Sequence, residues 1–234
     1  MKHHKTTRAD SGFSYSRPFF EELVDSALRH ANKLGATDAA AEASEACGLS
    51  VSVRKGDLEN VERNRDKSLS VSVYVGLRRG NANTSDFSDA AIAQTVKAAF
   101  DIARFTAEDP MAGLPDATDI APPSSLADEL ELFFPWQVTS EQAAELAKEC
   151  EQAALETDAR ITNSEGAAVS AQQSHFFSAH THGFRGGYSS SRHSISVSPI
   201  ASIGEDMQRD AWYSSMRDSK ELASAQRVGR YAAE

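Results

Sequence analysis

The sequence predicts an α+β fold in which antiparallel sheets, laid down as two meanders, carry helices packed against them. Three observations predict it. Two regions alternate apolar and polar residues with the two-residue period of half-buried strands. Four segments repeat apolar residues at helical spacing. The segments follow the order helix, meander, helix, linker, helix, meander, helix, a loose twofold repeat without sequence identity.

The first 17 residues are polar and unpatterned and read as a loose tail. His3 and His4 are too few to mark a metal-binding tail. Pro18 opens a helix over about 18–34, with Phe19, Leu23, Ala27, Leu28 and Ala31 on one face and Gly35 as its terminator. The small run 39–43 is ambiguous. Leu49, Val51 and Val53 alternate with polar residues, and Lys55-Gly56-Asp57 is a turn signal. Leu58 and Val61 mark a return strand, and Leu69, Val71, Val73 and Val75 another. Arg79-Gly80-Asn81 reads as a turn before a short strand at 82–85. A helix over about 88–105, capped by Ser88 or Asp86, closes this first unit, 18–108.

Residues 109–138 hold five of the seven prolines and little periodicity, so they read as an irregular connection. It ends in an apolar knot, Leu132-Phe133-Phe134-Pro135-Trp136, expected to dock on the core. The second unit, 139–234, opens with a helix from Thr139 or Ser140 to about Asp158. Turn signals at 164–166, 182–183, 186–187 and 204–206 divide four expected strands: 167–173, 175–181, 188–199 and 207–216. A last helix starts near Ser219 or Lys220 and includes Leu222, Ala225, Val228 and Tyr231. The chain reaches Glu234 inside this pattern without a cap, so it is expected to be a truncated piece of something longer. Apolar surface left uncovered in that way predicts self-association.

Composition narrows the function. The 34 acidic against 24 basic residues give a net charge of −10, which argues against a general nucleic-acid binder and against an anionic membrane surface. No apolar run approaches the roughly 20 residues of a spanning helix, and 1–16 lacks a signal-peptide core. Cys47 and Cys150 do not make a disulfide framework, which suits the cytoplasm.

No G-x-S-x-G, H-E-x-x-H, C-x-x-C or Walker motif occurs. The best local cluster is His175, His180, His182 and His193. His180 and His182, two apart on an expected strand, share a face and would bind a metal only with a third ligand such as Glu165. Ser191, Arg192, His193 and Ser194 are adjacent, but neighbours on a strand face opposite ways, so adjacency does not make a nucleophile–base pair. Arg63, Arg65, Lys67, Arg78 and Arg79 read as a charged sheet edge or a grip for an acidic partner. The residues give no catalytic or metal-binding site. His180, His182, Arg192 and His193 are retained as candidates to face a peptide or partner.

Several runs, in order, carry a resemblance: 48–62 (GLSVSVRKGDLENVE), 70–74 (SVSVY), 98–106 (AAFDIARFT), 109–116 (DPMAGLPD), 160–166 (RITNSEG), His182-Gly183, 191–194 (SRHS) and 206–210 (DMQRD). Over about 18–234 the chain resembles the TldD/PmbA family, also labelled modulators of DNA gyrase, and within it the PmbA (TldE) branch. The resemblance implies the N-terminal portion of that fold. It implies a cytoplasmic heterodimer with a TldD-type subunit that degrades unfolded peptides and trims peptide precursors. Zinc would belong to the TldD-type partner, on an H-E-x-x-x-H helix plus a cysteine in the later half, so this chain itself would hold no cofactor. The alternatives are the N-terminal part of a catalytic TldD-type zinc peptidase and a stand-alone peptide-binding module. An extended peptide would be held by backbone pairing to an exposed strand.

Overall fold

The computed structural model describes residues 12–120 and 130–234. Helix α1 (Arg17–Lys33) begins where the Ser16 hydroxyl accepts from the Phe19 amide and Pro18 presets the first turn. Strands β1 (Asp38–Arg54), β2 (Asp57–Val75) and β3 (Arg78–Thr84) follow as a meander. Helix α2 (Asp89–Phe105) is capped by Ser88, and α3 (Ser140–Leu155) opens on a capping box in which Thr139 and Gln142 satisfy each other's amides. Then come β4 (Ile161–His180), β5 (Arg185–Gly186), β6 (Ser189–Ile203), β7 (Asp206–Arg209) and β8 (Trp212–Met216). Helix α4 (Ala225–Ala233) is capped by Ser224.

The strands form one eight-stranded sheet in the order β3-β2-β1-β4-β6-β7, with β5 beside β4 and β8 beside β6. The two expected meanders therefore adjoin through β1 and β4. By packing, the chain divides into two units interleaved along the sequence: Met1–Ala46, Asp66–Glu131 and Ser174–Ser189 in the first, Cys47–Arg65, Leu132–Gln173 and Ser190–Glu234 in the second.

In the first unit, α1 presents Phe20, Leu23, Val24 and Ala27 to Ala39, Ala41 and Ala43 of β1. The small side chains on the strand let the bulky helix face sit close. Leu69, Val71 and Val73 of β2, Ile92 and Val96 of α2 and Phe177 of β4 complete this core. In the second unit, Ala143, Ala147, Cys150 and Ala154 of α3 and Val228 of α4 cover Leu49, Val51 and Val53 of β1, Val169 of β4 and Val197 of β6.

Several strands differ from expectation in their limits. The ambiguous 39–43 belongs to β1, where its alanines alternate in and out of the core. The two apolar runs of 57–75 are one strand of 19 residues. Arg79-Gly80-Asn81 lies inside β3, and the chain turns at Gly76-Leu77 instead. A Cβ on Gly80 would stand 2.0 Å from the Ala99 carbonyl oxygen, so this glycine admits the α2 backbone to the sheet rather than bending the strand. The expected turn at 164–166 lies inside β4, which joins 167–173 and 175–181 into one strand. The expected strand 207–216 is two, β7 and β8, and the last helix starts at Ala225 after a 3-10 turn at Ser219–Glu221.

Part of the expected tail is anchored. The Ser14 and Tyr15 amides donate to the Glu45 carboxylate, and Tyr15 stacks on Phe19. Residues 1–11 of that tail, with His3 and His4, lie outside the described residues, as do 121–129 of the Pro-rich connection. The apolar knot docks in the second unit: Trp136 packs on its core and the Phe134 amide donates to Ser191 Oγ.

Candidate functional site

The sequence candidates fall into two groups, one in each unit. In the first, β4 ends at His180, and His182 sits in the turn beyond it. Their rings lie 6.1 Å apart, and His180 Nδ1 accepts from the His182 amide at 3.2 Å. His182 Nδ1 meets the Pro115 carbonyl at 2.7 Å, and its Nε2 meets Asp38 at 2.8 Å. A carbonyl and a carboxylate only accept, so both ring nitrogens donate and the imidazolium is favoured. The Pro115 carbonyl first, and then Asp38, accordingly raise the His182 pKa. His180 moves the other way: burial lowers its pKa, and the charge of His182 adds to the effect. The pair is a fixed, half-exposed polar turn with its nitrogens largely committed to protein partners.

In the second unit, Arg192 and His193 are neighbours on β6 and face opposite ways, as the strand period requires. Arg192 is exposed, and its Nε donates to Ser215 Oγ at 2.7 Å. His193 is only 1% exposed, so it does not face a peptide or partner and the expectation for it is corrected. Its Nε2 donates to the Phe134 carbonyl at 2.8 Å, and its ring meets Trp136 edge-on at 5.5 Å. Its Nδ1 has no hydrogen-bond partner among the described residues. Ser191 is likewise structural, accepting from the Phe134 amide and donating to the Arg217 carbonyl.

The expected third metal ligand, Glu165, is held by Arg209 at 2.7 Å. His175 is buried and pairs with Glu45 at 3.3 Å between the rings of Phe13 and Phe20. Two of the basic residues have partners in the first unit. Lys67 donates to the Tyr15 hydroxyl and lies over the Phe87 ring, while Arg78 pairs with Glu108.

Two residues escaped the sequence reading. Glu45 and Glu151 are each 1% exposed, one in each unit, and each carboxylate grips two consecutive backbone amides. Glu45 takes those of Ser14 and Tyr15, and Glu151, on α3, takes those of Lys55 and Gly56 at 2.9 and 2.8 Å. The second clamp holds the β1–β2 turn, where Lys55 (φ 54°) and Gly56 (φ 79°) both adopt the left-handed region. That is the demand of a two-residue turn whose twist matches its strands. A signal existed for both. Glu45 falls on the inward register of Ala39, Ala41 and Ala43, and Glu151 falls on the buried stripe of Ala144, Ala147 and Ala154.

An open groove of about 450 Å³ in the second unit is lined in part by Ile161, Ile203, Met207 and Ala232, with Asp206 and Asp210 at its polar side. These sites offer a polar turn, a strand and an apolar groove.

Comparison with known proteins decides the family. Residues 134–234 match the model of the PmbA/TldA metallopeptidase central domain, and residues 39–103 match that of PmbA/TldA metallopeptidase domain 1. The chain is 43% identical over 214 residues to the metalloprotease PmbA of Escherichia coli, covering 91% of this chain and 46% of that protein. The chain belongs to the PmbA/TldD metallopeptidase family. A PmbA homolog of Haemophilus influenzae is 38% identical, again across 91% of this chain and 46% of its own length. The chain thus spans about half the length of the curated relatives it matches. Among solved structures, a Bacteroides thetaiotaomicron protein described as a modulator of DNA gyrase shares the fold at a TM-score of 0.80 and 23% identity, covering 91% of this chain and 48% of that one. TldE of Thermococcus kodakarensis shares it at 0.73 and 12%, covering 90% and 46%. These are neighbours in the family that the sequence resembles.

A metallopeptidase family implies a metal. Among the described residues no three His, Cys, Asp or Glu side chains converge as ligands, and the His180–His182 pair is bound to protein groups. These residues do not fit a metal centre. Among the described residues no helix is long and apolar enough to cross a membrane.

Proposed function

We propose that this chain is the N-terminal part of the non-catalytic PmbA/TldE-type subunit of a cytosolic TldD/TldE metallopeptidase complex that degrades unfolded peptides and processes peptide precursors. The observation that carries the reading is the 43% identity to metalloprotease PmbA, sustained over 91% of the chain. In this reading zinc belongs to a TldD-type partner, and this chain contributes surface. Extended peptides would be gripped through main-chain pairing at strand edges, a mode that needs no catalytic side chain. His180, His182 and Arg192 have the exposure to meet a peptide or the partner, and the buried His193 positions the Phe134–Trp136 segment instead. The net charge of −10 supports a protein partner over nucleic acid.

The test is the intact mass of the protein in its source cells, together with the coding sequence read past Glu234. A longer product without H-E-x-x-x-H is the expected result. A product containing H-E-x-x-x-H would make this the peptidase itself and overturn the non-catalytic assignment.

A further inference from the structure

The outer part of β2, residues 57–65, is a strand with an open side. β3 pairs only with Leu69 through Val75 of β2. β1 lies on the opposite side of β2, and among the described residues no strand lies beside 57–68 on the side that β3 takes. Residues 57–63 are exposed on both faces, including Leu58 at 55% and Val61 at 42%. Such an edge invites pairing unless it is blocked by proline, a bulge or like charge. None of the residues 57–65 is proline, and their charges are of both signs, sorted along the strand.

On one face the order is Asp57, Glu59, Val61, Arg63, Arg65: acid, then apolar, then base. Turned antiparallel on itself about Val61, this strand sets Glu59 against Arg63, Asp57 against Arg65 and Val61 against its own copy. At this end of β2 the two-residue turn Lys55-Gly56 makes Arg54 and Asp57 the closing hydrogen-bonded pair, so Asp57 turns its N–H and C=O groups to β1. The complementary charges at 57, 59, 63 and 65 flank Val61. A register shifted to pair Asp57 with Lys67 is less favourable, because Lys67 is half-buried and donates to Tyr15. On the other face the same register sets Asn60 against Glu62, an amide donor against a carboxylate.

We propose that residues 57–65 of β2 are a self-recognition edge, through which two copies of this chain join antiparallel about a twofold axis at Val61, with Glu59 of each copy opposite Arg63 of the other. The contact is isologous, so each opposed pair occurs twice. Glu141, at the start of α3, feels the Arg63 charge: its pKa is lowered first by its own backbone amide, then by the Thr139 and Ser140 hydroxyls, and least by Arg63.

Sedimentation equilibrium of the full chain tests it, with circular dichroism confirming the fold of each variant. The expected result is a concentration-dependent dimer. Arg63→Glu and Glu59→Arg should each weaken it about tenfold or more, since each creates two symmetry-related like-charge pairs. The double exchange Glu59→Arg with Arg63→Glu should restore it, because opposition is regained with the charges swapped. A monomer at every concentration, a dimer indifferent to the single reversals, or a double exchange no better than either single change would overturn the proposal. So would an edge occupied only by a different protein while this chain stays monomeric.

Discussion

Replacing Glu151 with glutamine should destabilise the chain far more than its single atom of difference suggests. The Glu151 carboxylate accepts from Lys55 N–H at 2.9 Å and from Gly56 N–H at 2.8 Å. Hydrogen bonds to a charged acceptor contribute about 1.5–3 kcal/mol each. Glutamine keeps one acceptor oxygen and turns an N–H toward the second backbone donor. One charge-assisted bond is lost, and an N–H is left without its acceptor, for about 1–3 kcal/mol more. The amide avoids the desolvation of a buried carboxylate, which offsets part of this. The net loss is about 3 kcal/mol, or roughly 6–12 °C in Tm for a chain of this size. Urea unfolding followed by far-UV circular dichroism measures it. Glu145→Gln, on an exposed position of the same helix, is the control and should stay within about 0.5 kcal/mol. A Glu151→Gln chain as stable as the control would refute the clamp.

The same turn allows the opposite change: Lys55→Asn, which tolerates the left-handed region and completes the favoured Asn-Gly pair, should stabilise by about 0.5–1 kcal/mol in the same assay. Glu45→Gln should release residues 12–16, read as faster hydrogen exchange at the Ser14 and Tyr15 amides; unchanged protection there would contradict the second clamp. Cys150, fully buried and with its thiol pKa pushed up to about 12, first by burial and then by Glu149 and Glu151, should resist alkylation at pH 8 until the chain unfolds, as intact mass would report. His182 has a raised folded pKa, so its stabilising contribution is full below the ordinary imidazole value and is lost as pH rises through the folded value. His180 has a lowered one and opposes folding as pH falls below the unfolded value; imidazole NMR titrations in which His180 titrates above His182 would reverse this assignment.

Period and caps explain which features were legible. Pro18, the Ser88 and Thr139 caps and the stripes behind them marked α1, α2 and α3 to within a few residues. Alternation marked Leu49–Val53 and Leu69–Val75 as strands. Glycines misled where they serve close packing: Gly80 reads as a turn in one dimension and is a gap for the α2 backbone in three. Strand lengths were understated because charges interrupt the apolar pattern in 57–66, where β2 projects beyond the core and alternation has nothing to face. The site residues were harder. His180 and His182 do come together, but through a turn and with Pro115 and Asp38, which are remote in sequence. His193 lost its surface role to the Phe134–Trp136 segment that covers it. Glu45 and Glu151 were readable only as carboxylates on buried registers, since the amides they hold are invisible to any motif.

The proposed function makes this a chain that works through a partner. The direct test is to purify the full chain with the TldD-type subunit of the same cells and assay an unfolded peptide with and without a zinc chelator. The account predicts a stable complex, cleavage that requires the TldD-type subunit and its metal, and no cleavage by this chain alone. Peptide cleavage by this chain in the absence of any TldD-type subunit would contradict it.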